Sequence, residues 1–468
     1  MALEREKAKK ELELRGRAKI RQLRRQIKKD IPEFLRIQNH YFPTLTEDIR
    51  NMLDARHQSY IKYKIEVIVY VMILKNVCSL ASMQEMNDKF NEDECAKNIY
   101  KILGLEEEEF LPHYVTINEC LSRLDTEELE KIRKRMIYGI IRKKSFDGGR
   151  FLSERWLVIV DGTQLFSFKK RHCAHCLTKT FNKDTPEEKT IFYHQVLEAK
   201  LVLSDDVIVS IATEFIENPE ENPTKQDCEL KSFARLSESL KKTFPRLPIC
   251  LLADSLYACK TVFDICRKNK WEFLIHYKEG SIPTLAEEYE EIKAMGEEEG
   301  KTVDMETAYK RKPNVKATHK MKWVNDLEYC GHIVAVMELE IEKDGKNWKE
   351  FQWVTSMRIR PKTAHEFAET GRKRWMIENE GFNIQKNHRY FITHANSLNY
   401  DAMKNHYILT QLADMLLQLY ETGIKGLKLL KRTLQAISED LYECLKRQSL
   451  SEEDLTFGRT QVRLEDNQ

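Results

Sequence analysis

Two aspartates each follow directly on a short apolar run in this 468-residue chain. Residues 156–160 read Trp-Leu-Val-Ile-Val before Asp161, and residues 249–253 read Ile-Cys-Leu-Leu-Ala before Asp254. Short runs of this kind predict buried strands. Carboxylate oxygens are the ligands that Mg²⁺ and Mn²⁺ prefer. Two such ions, about 3.5–4 Å apart, can activate the attacking oxygen and stabilise the leaving oxygen of a phosphodiester.

A third carboxylate is needed to complete such a site, and Glu378 is the best candidate for it. Arg374 and Glu378 are four residues apart, so they share one face of a helix. Lys386 lies eight residues beyond Glu378, about 80° further around the helix. This face therefore combines a metal ligand with two cations that suit an anionic backbone, and Trp375, Ile377 and Phe382 are candidate anchors of its other faces. Glu380 lies on a different face and is a weaker candidate, and the alternative is that Arg374 and Glu378 form an ordinary surface ion pair.

The order of the predicted elements indicates how these carboxylates would be positioned. The predicted elements are strands at 156–161, 191–203 and 207–216, a helix at 227–242, a strand at 249–254, a helix at 258–269 and a strand at 271–276. Three consecutive strands followed by alternation of helix and strand are typical of an RNase H-like sheet with mixed strand directions. In that order the strands that end at Asp161 and Asp254 are neighbours.

The chain is therefore predicted to be an α/β protein with an RNase H-like mixed sheet flanked by helices, a β-rich insertion and an all-helical N-terminal domain. A capping box at Thr363 and Glu366 predicts the start of one long helix that runs to about Lys386. The expected domains are a helical DNA-binding region at 1–145, the first part of the core at 146–276, a mostly β insertion at 277–348, the second part of the core with the Glu378 helix at 349–425, and a helical tail at 426–468.

Charge is distributed unevenly, although 77 Lys and Arg nearly balance 75 Asp and Glu. Residues 1–30 contain twelve basic and five acidic side chains. This stretch is interpreted either as a basic helix that binds phosphate backbones or as a solvated arm. Two predicted helices at 116–124 and 126–141 fit a helix-turn-helix DNA reader and an ordinary helical bundle equally well. Any DNA-binding surface must be local, because the net charge is only +2.

Hydropathy and cysteine usage exclude several classes of protein. No apolar run approaches the ~18 residues of a membrane-spanning helix. The N-terminus has no apolar segment typical of a secretory signal, and the eleven cysteines are then expected to be reduced thiols. We therefore expect a cytoplasmic, nucleoid-associated protein with no membrane partner.

A dense cluster of thiols and imidazoles lies shortly after the first aspartate. It contains His172, Cys173, His175 and Cys176, and Cys173 and Cys176 have the spacing of half a zinc site. A structural Zn²⁺ site could be closed by the cluster itself, by His194 or by Cys228. The alternative is a basic loop with reduced thiols.

Taken together, these residues resemble a known family. The strand before Asp161-Gly-Thr, the strand before Asp254 and the Arg-Trp-x-Ile-Glu378 helix are similar to the DDE transposases of bacterial insertion sequences. The resemblance covers roughly residues 156–420. It is greatest to the cut-and-paste branch, in which a β-rich insertion precedes the final Glu. Glu378 lies 124 positions after Asp254, which leaves room for that insertion.

The resemblance implies a catalytic and metal-binding triad of Asp161, Asp254 and Glu378 that ligates two Mg²⁺ or Mn²⁺ ions. Arg374 and Lys386 would contact the phosphates of the transposon ends. Gly371 and Gln385 stand where that branch often has Tyr and Lys.

A further motif common to these families opens the predicted helix that follows the third strand. Lys225, in this motif, is a candidate DNA contact. Asp227 is expected to be an N-cap or first-turn residue of the same helix.

The implied function is Mg²⁺-dependent cleavage and strand transfer of an insertion sequence, with double-stranded DNA as partner and a homodimer as the active form. Two alternatives are an RNase H-like nuclease without strand transfer and a catalytically inactive DNA-binding protein such as a repressor. A zinc-dependent scaffold is a third.

Overall fold

The computed structural model describes residues 30–457 apart from 58, 60, 219–225, 279, 310–311, 344–345 and 425–431. The chain forms two compact units, one of Met1–Ser145 with Asn383–Gln468 and the other of Phe146–Phe382. Nearly all of the basic stretch at 1–30 lies outside the described residues, and so does Lys225. None of the described helices combines the length and the apolar character needed to cross a membrane.

The first unit consists of helices in the part that the structure describes. Its helices are α1 (Asp30–Tyr41), α2 (Leu45–Arg50), α3 (Ile65–Val77), α4 (Met83–Phe90), α5 (Cys95–Leu103), α6 (Tyr114–Arg123) and α7 (Thr126–Lys143), and, numbered after the four helices of the second unit, α12 (Asn383–Asn387), α13 (Tyr400–Gly423), α14 (Leu434–Arg447) and α15 (Glu452–Leu455). The second unit contains α8 (Glu229–Thr243), α9 (Lys260–Asn269), α10 (Pro283–Met295) and α11 (Ala364–Arg372).

The second unit is a mixed α/β structure built on one sheet. Its strands are β1 (Trp156–Phe168), β2 (Leu177–Phe181), β3 (Lys189–Ser204), β4 (Val207–Ile216), β5 (Ile249–Ala253), β6 (Glu272–His276), β7 (Glu299–Tyr309), β8 (Lys312–Tyr329), β9 (His332–Lys343) and β10 (Lys346–Thr355). The order is β2-β3-β1-β5-β6-β10-β9-β8-β7, with β4 paired to β3. β1 runs antiparallel to β3 and parallel to β5, and β5 runs parallel to β6. The ten-stranded sheet is therefore mixed, as predicted.

Residues 277–348 extend the same sheet. β10 pairs with β6 and with β9, so the predicted insertion is joined to the rest by continuous hydrogen bonding. Trp323, Met337 and Trp353 belong to the same buried apolar cluster as Leu157 and Ile159 of β1. The predicted insertion therefore shares its core with the strands that precede it.

The second part of the core ends earlier than the expected boundary at 425. Helix α13 belongs to the first unit, where it packs on α1, α3, α6 and α7. Asn405 Nδ2 donates hydrogen bonds to the carbonyl oxygens of Leu121 and Leu124, both at 2.8 Å. His406 Nε2 lies 2.7 Å from Asn118 Oδ1. These buried polar contacts join α13 to the N-terminal helices.

The single long helix predicted at 363–386 is divided into several pieces. After α11 the chain forms a 3₁₀ turn at Lys373–Trp375 and a π-helix at Ile377–Phe382, followed by α12. The predicted capping box is wrong, because Thr363 makes no side-chain capping bond. Glu366 Oε1 instead accepts a hydrogen bond from the Leu152 backbone N–H at 2.6 Å. The carboxylate of Glu366, which the capping box required, therefore binds a residue that is distant in sequence.

Gly371 packs against an indole ring, and this contact can be tested. A Cβ at this position would lie 2.4 Å from Cε2 of Trp353. We expect Gly371→Ala to lower the free energy of unfolding by about 1–3 kcal/mol, because an extra methyl group must displace a buried ring. Gly148→Ala is the control, since a Cβ built there would meet no atom within 4 Å beyond the adjoining backbone and residues. Urea denaturation of both variants measures the effect, and equal stability of the two would contradict the contact.

Candidate active site

Asp161 and Asp254 are aligned on adjacent parallel strands. Ile159 of β1 pairs with Leu252 of β5. Two residues further along, Asp161 still lies in β1, and Asp254 directly follows the end of β5 in extended conformation, so the two residues reach the same level. Because side chains alternate between the two faces of a sheet, both carboxylates lie on the face that carries Ile159 and Leu252. The pair of aspartates predicted from the sequence is therefore adjacent in the fold.

Further titratable side chains continue this alignment on both sides. Glu198 of β3 pairs directly with Asp161, and Thr213 Oγ1 donates to the buried carboxylate of Glu198 at 2.8 Å. On the other side Ile275 of β6 pairs with Ala253, which brings His276 level with Asp254. Burial lowers the pKa of His276, and the nearby charge of Arg374 lowers it further. We call Glu198, Asp161, Asp254 and His276 the titratable row.

Burial and like charge act on Asp161 together. Burial raises its pKa to about 6, Arg374 opposes the shift, and the neighbouring charge of Asp254 adds to it. The ionised form of Asp161 is therefore disfavoured both by burial and by repulsion from Asp254. A cation beside these carboxylates would relieve that repulsion.

Arg374 supplies one positive charge to the titratable row. Its Nη1 lies 3.7 Å from Oδ2 of Asp161. Its guanidinium stacks over the ring of Trp375 at 4.4 Å, and Trp375 is exposed. Trp375 is therefore not the core anchor expected from the sequence, whereas Ile377 and Phe382 are buried. The guanidinium of Arg374 faces Asp161. The alternative expectation, an ordinary surface ion pair between Arg374 and Glu378, is therefore not the contact that Arg374 makes.

Glu378 lies in the first turn of the π-helix, which packs against β1 and β4. Its side chain is exposed, as is that of Glu380. Within the described part of the chain, two groups of three or more potential metal ligands have all their ligand atoms within 4.8 Å, and the three predicted carboxylates belong to neither. The structure thus aligns Asp161 with Asp254 and holds the Glu378 helix over the same sheet without closing a three-carboxylate site.

Lys386 and Gln385 belong to the first unit. Lys386 is half-buried in α12. Gln385 is buried, and its Nε2 donates to Gln411 Oε1 at 3.0 Å and to Asp414 Oδ2 at 2.9 Å. A buried amide network therefore occupies the position where the similar family often has a lysine.

Glu229 is a carboxylate of this region that the sequence reasoning missed. Its Oε1 accepts a hydrogen bond from Gln195 Nε2 at 2.7 Å, and its Oε2 accepts one from Tyr257 at 3.3 Å. A Cβ at Gly162 would lie 2.3 Å from its Oε1. Burial raises the pKa of Glu229, and the charge of Asp254 raises it further. The only signal for it in the sequence is the glycine directly after Asp161. Any side chain at Gly162 would occupy the space of the Glu229 carboxylate.

Asp227 does not cap the helix as expected. Helix α8 begins at Glu229, and Cys228 is its N-cap residue. The Asp227 carboxylate instead lies 2.5 Å from Nη2 of Arg235 and accepts a hydrogen bond from Ser232 Oγ. The ion pair with the second turn of α8 takes the place of the capping contact.

The thiol and imidazole cluster has a different membership from the first prediction. His172, Cys173, Cys176 and His194 bring their ligand atoms together. His175 points its Nδ1 to the carbonyl oxygen of Asn218 at 3.0 Å and is not in the group. The exposed Cys228 is not in the group either. His194 and Cys228 were the two residues outside the loop that could close the site. Of these, the structure brings His194 to the cluster.

The fold and this site define a mixed α/β protein with a titratable row across four central strands and a separate cysteine–histidine cluster. No protein-family model matches the chain. No curated protein shows significant sequence similarity to it.

The raised pKa of Asp161 predicts a pH-dependent penalty in the metal-free protein. Because its pKa is about 6 in the folded state and near 3.8 ordinarily, stability falls as pH rises through that interval. At pH 8 the deficit is about 3 kcal/mol. We expect Asp161→Asn, measured with a chelator present, to exceed the wild type in stability by up to this amount at pH 8 and to match it near pH 4.

The control is Glu287→Gln, which removes an exposed carboxylate of α10. It should leave the stability difference from the wild type the same at both pH values. If the difference in stability between Asp161→Asn and the wild type were the same at pH 4 and pH 8, the carboxylate of Asp161 would carry no such penalty.

Proposed function

We propose that this protein is a DDE transposase that cleaves the ends of an insertion sequence and joins them to target DNA. The observation that carries the proposal is the alignment of Asp161 and Asp254 on adjacent parallel strands, on the face of the sheet that the Glu378 helix covers. Arg374 beside Asp161 adds the cation expected near a phosphodiester.

The strand arrangement supports an RNase H-like identity for the central part of the sheet. In the order β4-β3-β1-β5-β6, the pairs β4–β3 and β3–β1 are antiparallel, and the pairs β1–β5 and β5–β6 are parallel. This is the arrangement expected from the element order in the sequence. We propose that β7–β10 are the β-rich insertion of the cut-and-paste branch.

The donor set fits hard divalent cations. Asp161, Asp254 and Glu378 offer oxygen ligands alone, and such ligands suit Mg²⁺ or Mn²⁺. The two ions would activate the attacking oxygen and stabilise the leaving oxygen of the phosphodiester. The unfavourable environment of the ionised Asp161 is the property that a bound cation would offset.

The protein's own residues would position the reacting DNA. Arg374 is half-buried and stacked on Trp375, which fixes its guanidinium for a phosphate. Glu378 lies on a π-helix, an element that occurs frequently at functional sites. Because the π-helix already packs on the sheet, under this proposal only the exposed side chain of Glu378 would have to turn toward the two aspartates when metal and DNA bind.

Exposed basic residues of the first unit support a DNA partner. Lys134, Arg142 and Lys143 are exposed on α7 and line a cavity of about 650 Å³, whose apolar lining includes Phe42 and Met136. Positive side chains clustered on one helix suit a phosphate backbone. We propose that this unit holds double-stranded transposon ends and that a homodimer pairs them.

The test is a transposition assay in cells. A selectable marker is placed between the DNA segments that border the gene, and the protein is supplied from a second plasmid. We expect excision and integration with the wild type. Each of Asp161→Ala, Asp254→Ala and Glu378→Ala should reduce both about 10²–10³-fold, because a lost metal ligand removes several kcal/mol of transition-state stabilisation.

Glu380→Ala is the matched control, since Glu380 is an exposed carboxylate two residues from Glu378. It should retain activity. Cleaved donor without joined product would support the nuclease alternative, and DNA binding with neither product would support the inactive DNA-binding protein. Full activity of Asp161→Ala would overturn the transposase proposal.

A further inference from the structure

We propose that His172, Cys173, Cys176 and His194 form a structural zinc site in the second unit. The two cysteines and His172 lie on the loop between β1 and β2, and His194 lies within β3. This set exchanges His175 for His194 relative to the cluster that is contiguous in the sequence. It is independent of the transposase proposal, because none of the four residues belongs to the titratable row.

The distances among Cys173, Cys176 and His194 match three edges of a tetrahedron around zinc. Ordinary Zn–S and Zn–N bond lengths give edges of about 3.8 Å between sulfurs, about 3.6 Å between sulfur and nitrogen, and about 3.4 Å between nitrogens. The two Sγ atoms of Cys173 and Cys176 are 3.5 Å apart. His194 Nε2 lies 3.5 Å from Cys173 Sγ and 3.7 Å from Cys176 Sγ.

His172 completes the group. One of its two ring nitrogens would bind the metal: Nε2 is 3.4 Å from Nε2 of His194, and Nδ1 is 3.4 Å from Sγ of Cys176. With one ligand atom from each residue, the four atoms lie within 4.8 Å of one another. Both cysteines are free thiols, so no disulfide competes for their sulfurs. Two thiolates and two imidazoles are a ligand set that zinc prefers, and four protein ligands leave no position for a reacting water. The site is therefore structural.

The surroundings hold the ligands in place. Cys176 and His194 are buried. The ring of Phe168 lies 4.3 Å from that of His172. Asn218 Nδ2 donates to the carbonyl oxygen of Cys176 at 2.9 Å. Outer contacts of this kind orient ligands toward a metal.

Zinc at this position would join the loop after β1 to the middle of β3. The pairing of β1 with β3 changes register between Gln164 and Ser167, so hydrogen bonding alone holds this end less firmly. His194 directly precedes Gln195, which binds Glu229. The metal would thereby also fix the strand segment that positions Glu229.

The experiment measures zinc in the purified full-length protein by elemental mass spectrometry. We expect about one zinc ion per chain in the wild type and near none in Cys173→Ser and His194→Ala. His175→Ala is the matched control and should retain the metal. Replacement of zinc by Co²⁺ should give the visible absorption of a tetrahedral ion together with thiolate-to-cobalt charge transfer.

The cobalt spectrum is recorded on the wild type, so it decides the question even if a variant fails to fold. A wild type without zinc whose Co²⁺ complex lacks thiolate charge transfer would overturn the site. Zinc that persists in folded Cys173→Ser, or that is lost only in His175→Ala, would overturn this choice of ligands.

Discussion

The parallel pairing of β1 with β5 is the constraint on which the candidate active site depends. Because Ile159 lies opposite Leu252, Asp161 and Asp254, each two residues further along the extended chain, lie at one level and on one face. A slip of one residue would turn one carboxylate to the opposite face. The apolar residues below the aspartates set this register, since Ile159 and Leu252 belong to one buried cluster. The core thus determines where the carboxylates meet.

The alignment of these carboxylates lowers the stability of the folded protein, and the neighbouring groups offset only part of that loss. Arg374 lowers the pKa of Asp161, whereas burial and Asp254 raise it. Glu229 adds a further carboxylate from the side of β1 where Gly162 has no side chain. Such a concentration of acids is typical of functional sites, where stability is reduced in favour of chemistry. The apolar core compensates elsewhere, because the π-helix above the sheet is anchored in the same buried cluster through its first and last residues.

The sequence was most informative where the signal is local. Apolar runs that end at Asp161 and Asp254 predicted the start of β1 and both ends of β5 closely. It was least informative where a distant contact decides the local structure. Glu366 binds Leu152 in place of a helix cap, and the absence of a side chain at Gly371 makes room for the ring of Trp353. Periodicity alone contains no information about either partner, so the division of the long helix could not be predicted.

The cysteine–histidine cluster also combines a local signal in the sequence with a partner that only strand pairing reveals. The spacing of Cys173 and Cys176 was a local signal, but the choice between His175 and His194 depended on the pairing of β3 with β1. Tyr193 of β3 pairs with both Ser167 and Leu177, which brings His194 between the two sides of the loop. Because Gln195 then reaches Glu229, one strand connects the cluster to the carboxylates near Gly162. Strand pairing therefore assembles both candidate sites from residues that are separated in sequence.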